Sequence, residues 1–287
     1  MTGQGPVRAR WGDGRWHFQH GPIDLVIGVD GEAAAIEPAV EACWQAFGDV
    51  LPRLVTELPA LRSPWSDALS LRGPVAARMG RACAPLVRAF DLFLTPMAAV
   101  AGAVADHLIG TLCGPGIERA YINNGGDIAL HLTGRCSFDV GVVANAYAPR
   151  LDGGLRVAAD SPVRGIATSG WRGRSFSLGV ADSVTVLAAD AAAADAAATL
   201  IANHVDVDHP AIERAPASQL RDDTDLGSRL VTVDVASLPA AAIETALDRG
   251  LRFAEQCRAR GLVHAALLTL QGRARMLNPV AAEAALP

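Results

Sequence analysis

After Gly114-Pro115-Gly116 the apolar pattern of this chain changes from helical to strand-like and stays so until Ala188. Strands are expected at Ala120–Ile122, Ile128–Leu132, Ser137–Val143, Gly154–Ala158, Arg164–Ala167 and Ser183–Ala188, the last rich in β-branched Val184, Thr185 and Val186. Turns at Asn124-Gly125-Gly126 and Thr133-Gly134 join the early ones. Strands grouped in this way, with helical stretches before and after them, point to an α+β fold with mixed or antiparallel sheets packed against helices.

The flanking segments complete that pattern. Arg15–Gln19 and Ile23–Gly28 read as a strand pair around His20-Gly21-Pro22. A helix follows Asp30, with Ala34, Ile36, Val40, Cys43 and Phe47 on its apolar face, and Pro52, Pro59 and Pro64 mark a looser connection. Pro74 to about Phe90 reads as helix interrupted near Pro85. Thr95-Pro96 supplies a helix start, and Met97–Leu112 is rich in alanine and glycine, so another element can approach its backbone closely. Asp206–Asp225 reads as polar loop, Ala240–Ala259 as helix and Val263–Leu270 as strand. Neither a fixed-period repeat nor a linker interrupts residues 1–287, so one continuous domain is expected.

Composition narrows the function classes. A net charge of −5 without a basic run argues against nucleic acid and anionic membrane surfaces as partners. The stretch Leu92–Ala105, about fourteen residues, is too short to span a bilayer. Five scattered cysteines without CxxC spacing fit a reduced, cytoplasmic protein.

Three features could carry chemistry. Asp195 and Thr199 lie four residues apart on an almost pure alanine helix, Asp190–Asn203, and so share one face. A carboxylate and a hydroxyl at that spacing suit a hard cation such as Mg²⁺, although an alanine-rich packing helix would carry the same residues. Asn124-Gly125-Gly126-Asp127 is either a tight hairpin turn or a turn whose backbone N–H groups hold an anion. Gly165-Ile166-Ala167-Thr168-Ser169-Gly170 leads from a strand into a hydroxyl-rich turn that is neither a phosphate-binding P-loop nor a nucleophile elbow. Trp171, directly after it, could stack on a ligand ring or pack in the core. His204-x-Asp206-x-Asp208-His209 has metal-binding residue types in a spacing that fits no zinc pattern, and reads as solvated loop.

The order of these blocks carries a resemblance. Asn124-Gly125-Gly126-Asp127-Ile128, then Ala167-Thr168-Ser169-Gly170, then Ser183-Val184-Thr185-Val186 leading to Ala194-Asp195-Ala196-Ala197-Ala198-Thr199 resemble the ApbE family of FAD:protein FMN transferases. The likeness runs from about residue 8 to 270 and is closest to a short branch. That branch carries Thr95-Pro96-Met97-Ala98-Ala99-Val100 where the transferases begin a glycine–lysine helix, and Gly173-Arg174-Ser175 before Gly179-Val180-Ala181-Asp182.

The resemblance implies Mg²⁺ held by Asp195, Thr199 and a backbone carbonyl near Val100. It also implies that Asn124, Gly125, Gly126, Asp127, Thr168, Ser169 and Gly170 line a site for FAD, as substrate or ligand. In such transferases the metal holds the FAD pyrophosphate while a substrate threonine hydroxyl attacks the FMN phosphorus and AMP leaves. The family's His-x-x-Asp-Pro-x-Thr-Gly block is replaced here by Ser175-Phe176-Ser177-Leu178-Gly179, and its lysine near Ala101 is absent, so no catalytic acid or base is assigned. Two alternatives stay open: a flavin-binding protein without transferase activity, and a biosynthetic enzyme for a one-carbon, pterin-type cofactor on the same fold. The Ala/Gly-rich helix could pack against a second subunit as readily as against its own core, which leaves a homo-oligomer open.

Overall fold

Alternation of apolar and polar residues along short strands builds one nine-stranded antiparallel sheet, and helices cover one face of it. The computed structural model describes residues 5–142 and 153–278. The strands are β1 (Val7–Arg10), β2 (Trp16–His20), β3 (Ile23–Gly31), β4 (Ile117–Asn124), β5 (Asp127–Leu132), β6 (Ser137–Val142), β7 (Gly153–Ala158), β8 (Gly165–Ser169), β9 (Ser183–Ala188), β10 (Ile212–Pro216), β11 (Leu230–Val235), β12 (Ala265–Leu270) and β13 (Arg273–Leu277). The main sheet runs β1-β2-β3-β4-β5-β8-β9-β12-β13, while β6–β7 and β10–β11 form separate two-stranded ribbons. Val143, placed at the end of a strand by the sequence, lies outside the described residues.

The helices are α1 (Ala33–Thr56), α2 (Leu58–Leu61), α3 (Pro74–Phe90), α4 (Val100–Ile109), α5 (Ala191–His204), α6 (Ala217–Leu220) and α7 (Ala240–Ala259). The α+β architecture expected from the sequence is the one observed. Apolar residues of α7 recur at helical spacing, Ile243, Ala246, Leu247, Gly250, Phe253, Ala254 and Cys257, and all are buried. Along β3, Leu25 and Ile27 turn inward to the same core, joined by Phe18 of β2 and Phe47 of α1. A smaller cluster on the opposite face gathers Leu130, Leu132, Val157, Ile166 and Leu187. All five cysteines are free thiols. Among the described residues no helix is long and apolar enough to cross a membrane.

Several local expectations differ. Helix α1 continues through Pro38 and Pro52, and α3 passes Pro85 without interruption. A proline inside a helix loses one hydrogen bond and crowds a carbonyl, but Val40, Cys43, Phe47, Val50 and Leu54 anchor α1 along its length, and that packing outweighs the local cost. Ala34 is exposed rather than part of the buried face. Pro96 opens a 3₁₀ turn, Pro96–Ala99, before α4 begins, and Thr95 makes no capping bond. The span read as loop after Asp206 contains β10 and α6.

The alanine helix α5 is the packing centre of the helical layer. Ala191, Ala192, Ala194, Ala196, Ala197 and Ala198 are fully buried. The alanines therefore admit neighbouring backbones, rather than leaving the helix open to solvent. At Gly102 of α4 a Cβ would stand 2.2 Å from the Ala191 carbonyl oxygen, so only glycine permits this contact.

Candidate functional site

The ends of β4, β5, β8 and β9 meet α4 and α5 at a cleft of about 890 Å³. Residues Asn124–Asp127, Thr168–Gly170, Val100, Asp195 and Thr199 all line it, so the blocks singled out in the sequence converge in space.

Gly125 and Gly126 form the two-residue loop between β4 and β5, where Asn124 pairs with Asp127. Their φ values of +67° and +114° are those a tight hairpin requires of glycine. Of the N–H groups in this turn, that of Gly126 is donated to Asn123 Oδ1 at 2.8 Å. The turn is tied to its surroundings at both sides. Asn124 Nδ2 donates to the Ala101 carbonyl at 3.1 Å, and Asp127 Oδ1 accepts from the Thr168 N–H at 3.3 Å. The Thr168 hydroxyl in turn meets that of Thr185 at 2.9 Å.

On α5, Asp195, Thr199 and Asn203 form a stripe at i, i+4 and i+8, and all three reach the cleft. Asp195 Oδ2 accepts from the Gly102 N–H at 3.1 Å. Asn203 is spent on the cleft wall: its Oδ1 accepts from the Leu178 N–H at 2.9 Å. The Thr199 hydroxyl has no hydrogen-bond partner among the described residues. Burial pushes the Asp195 carboxyl well above the usual range, and the neighbouring Asp127 carboxylate adds to that. Burial also pushes Asp127 up to about 7, against the opposing pull of the Thr168 N–H and the Arg174 guanidinium.

Two neighbouring carboxylates, Asp195 and Asp127, and an unpartnered hydroxyl give the cleft an all-oxygen donor set, with Val100 also on its lining. That set fits a hard divalent cation, which needs only one or two carboxylates when a ligand supplies phosphoryl oxygens. Among the described residues no group of three His, Cys, Asp or Glu side chains is arranged to hold a metal alone.

The structure adds residues that the sequence did not single out. Arg62, Arg172, Arg174, Phe176, Arg221, Asp223 and Asp225 also line the cleft. Asp225 accepts from the buried Thr95 hydroxyl, and Arg62 Nη2 pairs with Asp223 Oδ2 at 2.8 Å, which draws the segment 221–226 against the cleft. These pairings join residues far apart in the chain, so no local signal announces them. The i+8 position of Asn203 was legible in principle from the stripe.

Other sequence candidates resolve into structural roles. Trp171 is outside the cleft lining; the Arg172 guanidinium covers its ring at 4.4 Å, and it packs on the core. Asp182 accepts from Arg172 Nε at 2.9 Å and from the Gln271 N–H at 2.6 Å. His204 stacks on Phe253, with ring centroids 3.7 Å apart, while Asp206 pairs with Arg214 and His209 Nδ1 accepts from the Ala211 N–H. These side chains therefore do not converge on one point.

Comparison with known proteins agrees with this fold. The family described as AbpE bacteria matches residues 8–276. A UPF0280 protein of Methanosphaerula palustris is 36% identical over 193 residues, covering 67% of this chain and 77% of that protein. Another, from Methanothermobacter thermautotrophicus, is 43% identical over 109 residues, 38% of this chain and 41% of its own length. Among solved structures, a mutant of the flavin transferase ApbE from Vibrio cholerae superposes with a TM-score of 0.51 at 12% identity, covering 96% of this chain and 97% of that one. The ApbE protein of Thermotoga maritima gives 0.50 at 12% identity, with coverages of 96% and 97%. The fold is thus that of the ApbE flavin transferases, and with a match over nearly its whole length the chain belongs to the family described as AbpE bacteria.

Proposed function

We propose that this protein is a Mg²⁺-dependent enzyme that binds FAD, or a related nucleotide, by its pyrophosphate and transfers a flavin-type phosphoryl group. The observation that carries the reading is the unpartnered Thr199 hydroxyl one turn from Asp195, with Asp127 and Val100 on the same lining, in a cleft large enough for a dinucleotide.

Asp195, Thr199 and the Val100 carbonyl would hold the cation. When bound, that cation neutralises charge on the pyrophosphate and on the leaving oxygen. Asp127, whose charge acts on Asp195, would be held in its ionised form by a cation bound there. The Gly125-Gly126 turn and the Thr168-Ser169-Gly170 turn form the walls against which the ligand is oriented. With little covalent work for the protein, positioning is its main contribution.

A second reading, flavin binding without transfer, is favoured by the segment 172–176. It brings Arg172, Arg174, Ser175 and Phe176 to the cleft and no histidine, so it supplies no neutral-pH acid or base there. Calorimetric titration of FAD into metal-free protein, with and without Mg²⁺, followed by chromatography, separates the two. Mg²⁺-dependent binding, with FMN transferred to the hydroxyl of an added acceptor peptide and AMP released to solution, is the expected result. Binding without AMP supports the second reading, and no binding removes the flavin from both.

A further inference from the structure

Four arginines line the cleft, and three of them are already engaged. Arg62 pairs with Asp223 at 2.8 Å. Arg172 pairs with Asp182 at 2.9 Å and stacks on Trp171. Arg221 lies 5.1 Å over the ring of Phe176. Arg174 makes no hydrogen bond or ion pair among the described residues.

Its position is nonetheless defined. The Gly173 N–H donates to the Gly170 carbonyl at 3.1 Å, a tight turn that ends the Thr168-Ser169-Gly170 block and presents Arg174 toward the β4–β5 hairpin. There the guanidinium rests on Gly125: a Cβ at that residue would stand 1.9 Å from Nη2 and 3.1 Å from Cζ. The adjacent Gly126 faces open space, with no atom within 4 Å of where its Cβ would be. A planar, unpaired cation is therefore held against a side-chain-free turn, beside vacant volume, at the carboxylate end of the cleft.

We propose that Arg174 is the specificity-determining residue of the cleft and engages a phosphoryl group of the ligand through its guanidinium fork. This rests on the reading of the cleft as a site for a phosphorylated ligand. Guanidinium matches phosphoryl oxygens two at a time, and such charge-assisted bonds outweigh neutral ones. Arg174 acts on the Asp127 carboxyl only through space and makes no direct hydrogen bond or ion pair, so it breaks none when it binds. Arg172, by contrast, would have to leave Asp182.

The test compares the full-length protein with Arg174→Ala and Arg174→Lys, using inorganic pyrophosphate, FAD and riboflavin as probes in the presence of Mg²⁺. Arg174→Ala is expected to weaken pyrophosphate and FAD binding roughly ten- to a hundredfold and leave riboflavin, which lacks phosphate, unchanged. Arg174→Lys restores the charge but not the fork, and should recover only part of the loss. Equal weakening of riboflavin, unchanged pyrophosphate affinity in Arg174→Ala, or failure of the unmodified protein to bind either phosphorylated probe overturns the proposal. A separate titration of Mn²⁺ in the absence and presence of pyrophosphate, read by paramagnetic resonance, tests the metal reading. If Mn²⁺ does not bind but pyrophosphate affinity still depends on Arg174, the metal reading fails and this one stands.

Discussion

Asp195 and Asp106 cap one another's helices. Asp195, on α5, accepts from the Gly102 N–H in the first turn of α4, while Asp106, on α4, accepts from the Ala191 and Ala192 N–H groups that open α5, at 3.0 and 2.8 Å. Each carboxylate satisfies amides that a helix start leaves without intrahelical partners, and each meets the positive end of a helix dipole. Two helices that touch through glycine and alanine are thereby locked in register. One of the two caps also faces the cleft, so the device that fixes the packing also fixes the candidate metal ligand.

Asp106 is the cap with no role in the cleft, and its removal should be read in stability alone. Asp106→Ala leaves two buried N–H groups unpaired and is expected to cost about 2–4 kcal/mol. Thermal or urea unfolding measures this, and Asp106→Asn, which keeps one acceptor oxygen, should lose less.

Asp195 should behave differently. Asp195→Asn retains an acceptor for the Gly102 N–H and should fold with a melting temperature near that of the unmodified protein, yet lose divalent-cation binding. Thr199→Val removes only the unpartnered hydroxyl and should weaken cation affinity by about tenfold, with no loss of stability. Calorimetric titration of Mn²⁺ with each variant gives the comparison, and unchanged affinity in Asp195→Asn would remove the metal assignment.

The cleft carboxylates set a pH dependence of definite sign. Asp127 is pushed up to about 7 by burial, so between pH 4 and 7 the folded protein keeps a proton that the unfolded chain has lost. Its stabilising contribution is full below about pH 4 and is lost as pH rises through about 7. The difference in unfolding free energy between the unmodified protein and Asp127→Asn should therefore shrink with rising pH. A divalent cation favours the ionised form, so adding Mg²⁺ should flatten that slope, and cation binding near pH 7 should release protons to the buffer.

What the sequence made legible follows the range of the interactions involved. The β4–β5 hairpin and α5 were readable because their determinants are local: Asn-Gly-Gly in one case, an uninterrupted alanine run in the other. Strands β1, β10, β11 and β13 were not anticipated. All four residues of β1 are exposed and β13 is a short edge pairing, whereas β11, Leu230-Val231-Thr232-Val233-Asp234-Val235, carries a legible β-branched alternation. Prolines 52 and 85 misled because a local helix cost was outweighed by packing that sequence does not display. In the cleft, Asp195, Thr199 and the two glycine-containing turns were visible as patterns. Arg174, by contrast, acquires its place only when Gly125 is brought beneath it.

The segment 221–226 supplies the last prediction. Besides the Arg221 guanidinium over the Phe176 ring, two carboxylate contacts hold it against the cleft, Asp225 with the Thr95 hydroxyl and Asp223 with Arg62. The Asp223–Arg62 pair is solvent-exposed and should add less than about 1 kcal/mol to stability. Thr95, however, is buried beside the 3₁₀ turn that leads into α4, so the Asp225 contact links the segment to the wall that carries Val100. Replacing both carboxylates, Asp223→Ala with Asp225→Ala, leaves the buried Thr95 hydroxyl without its partner, so it should cost about 1–3 kcal/mol of stability and also let the segment move away from the ligand. Flavin release, followed by stopped-flow fluorescence, is then expected to accelerate severalfold with little change in association rate, because interface changes act mainly on dissociation. Equal acceleration of association and dissociation would show instead that the segment obstructs entry to the cleft and adds nothing to retention.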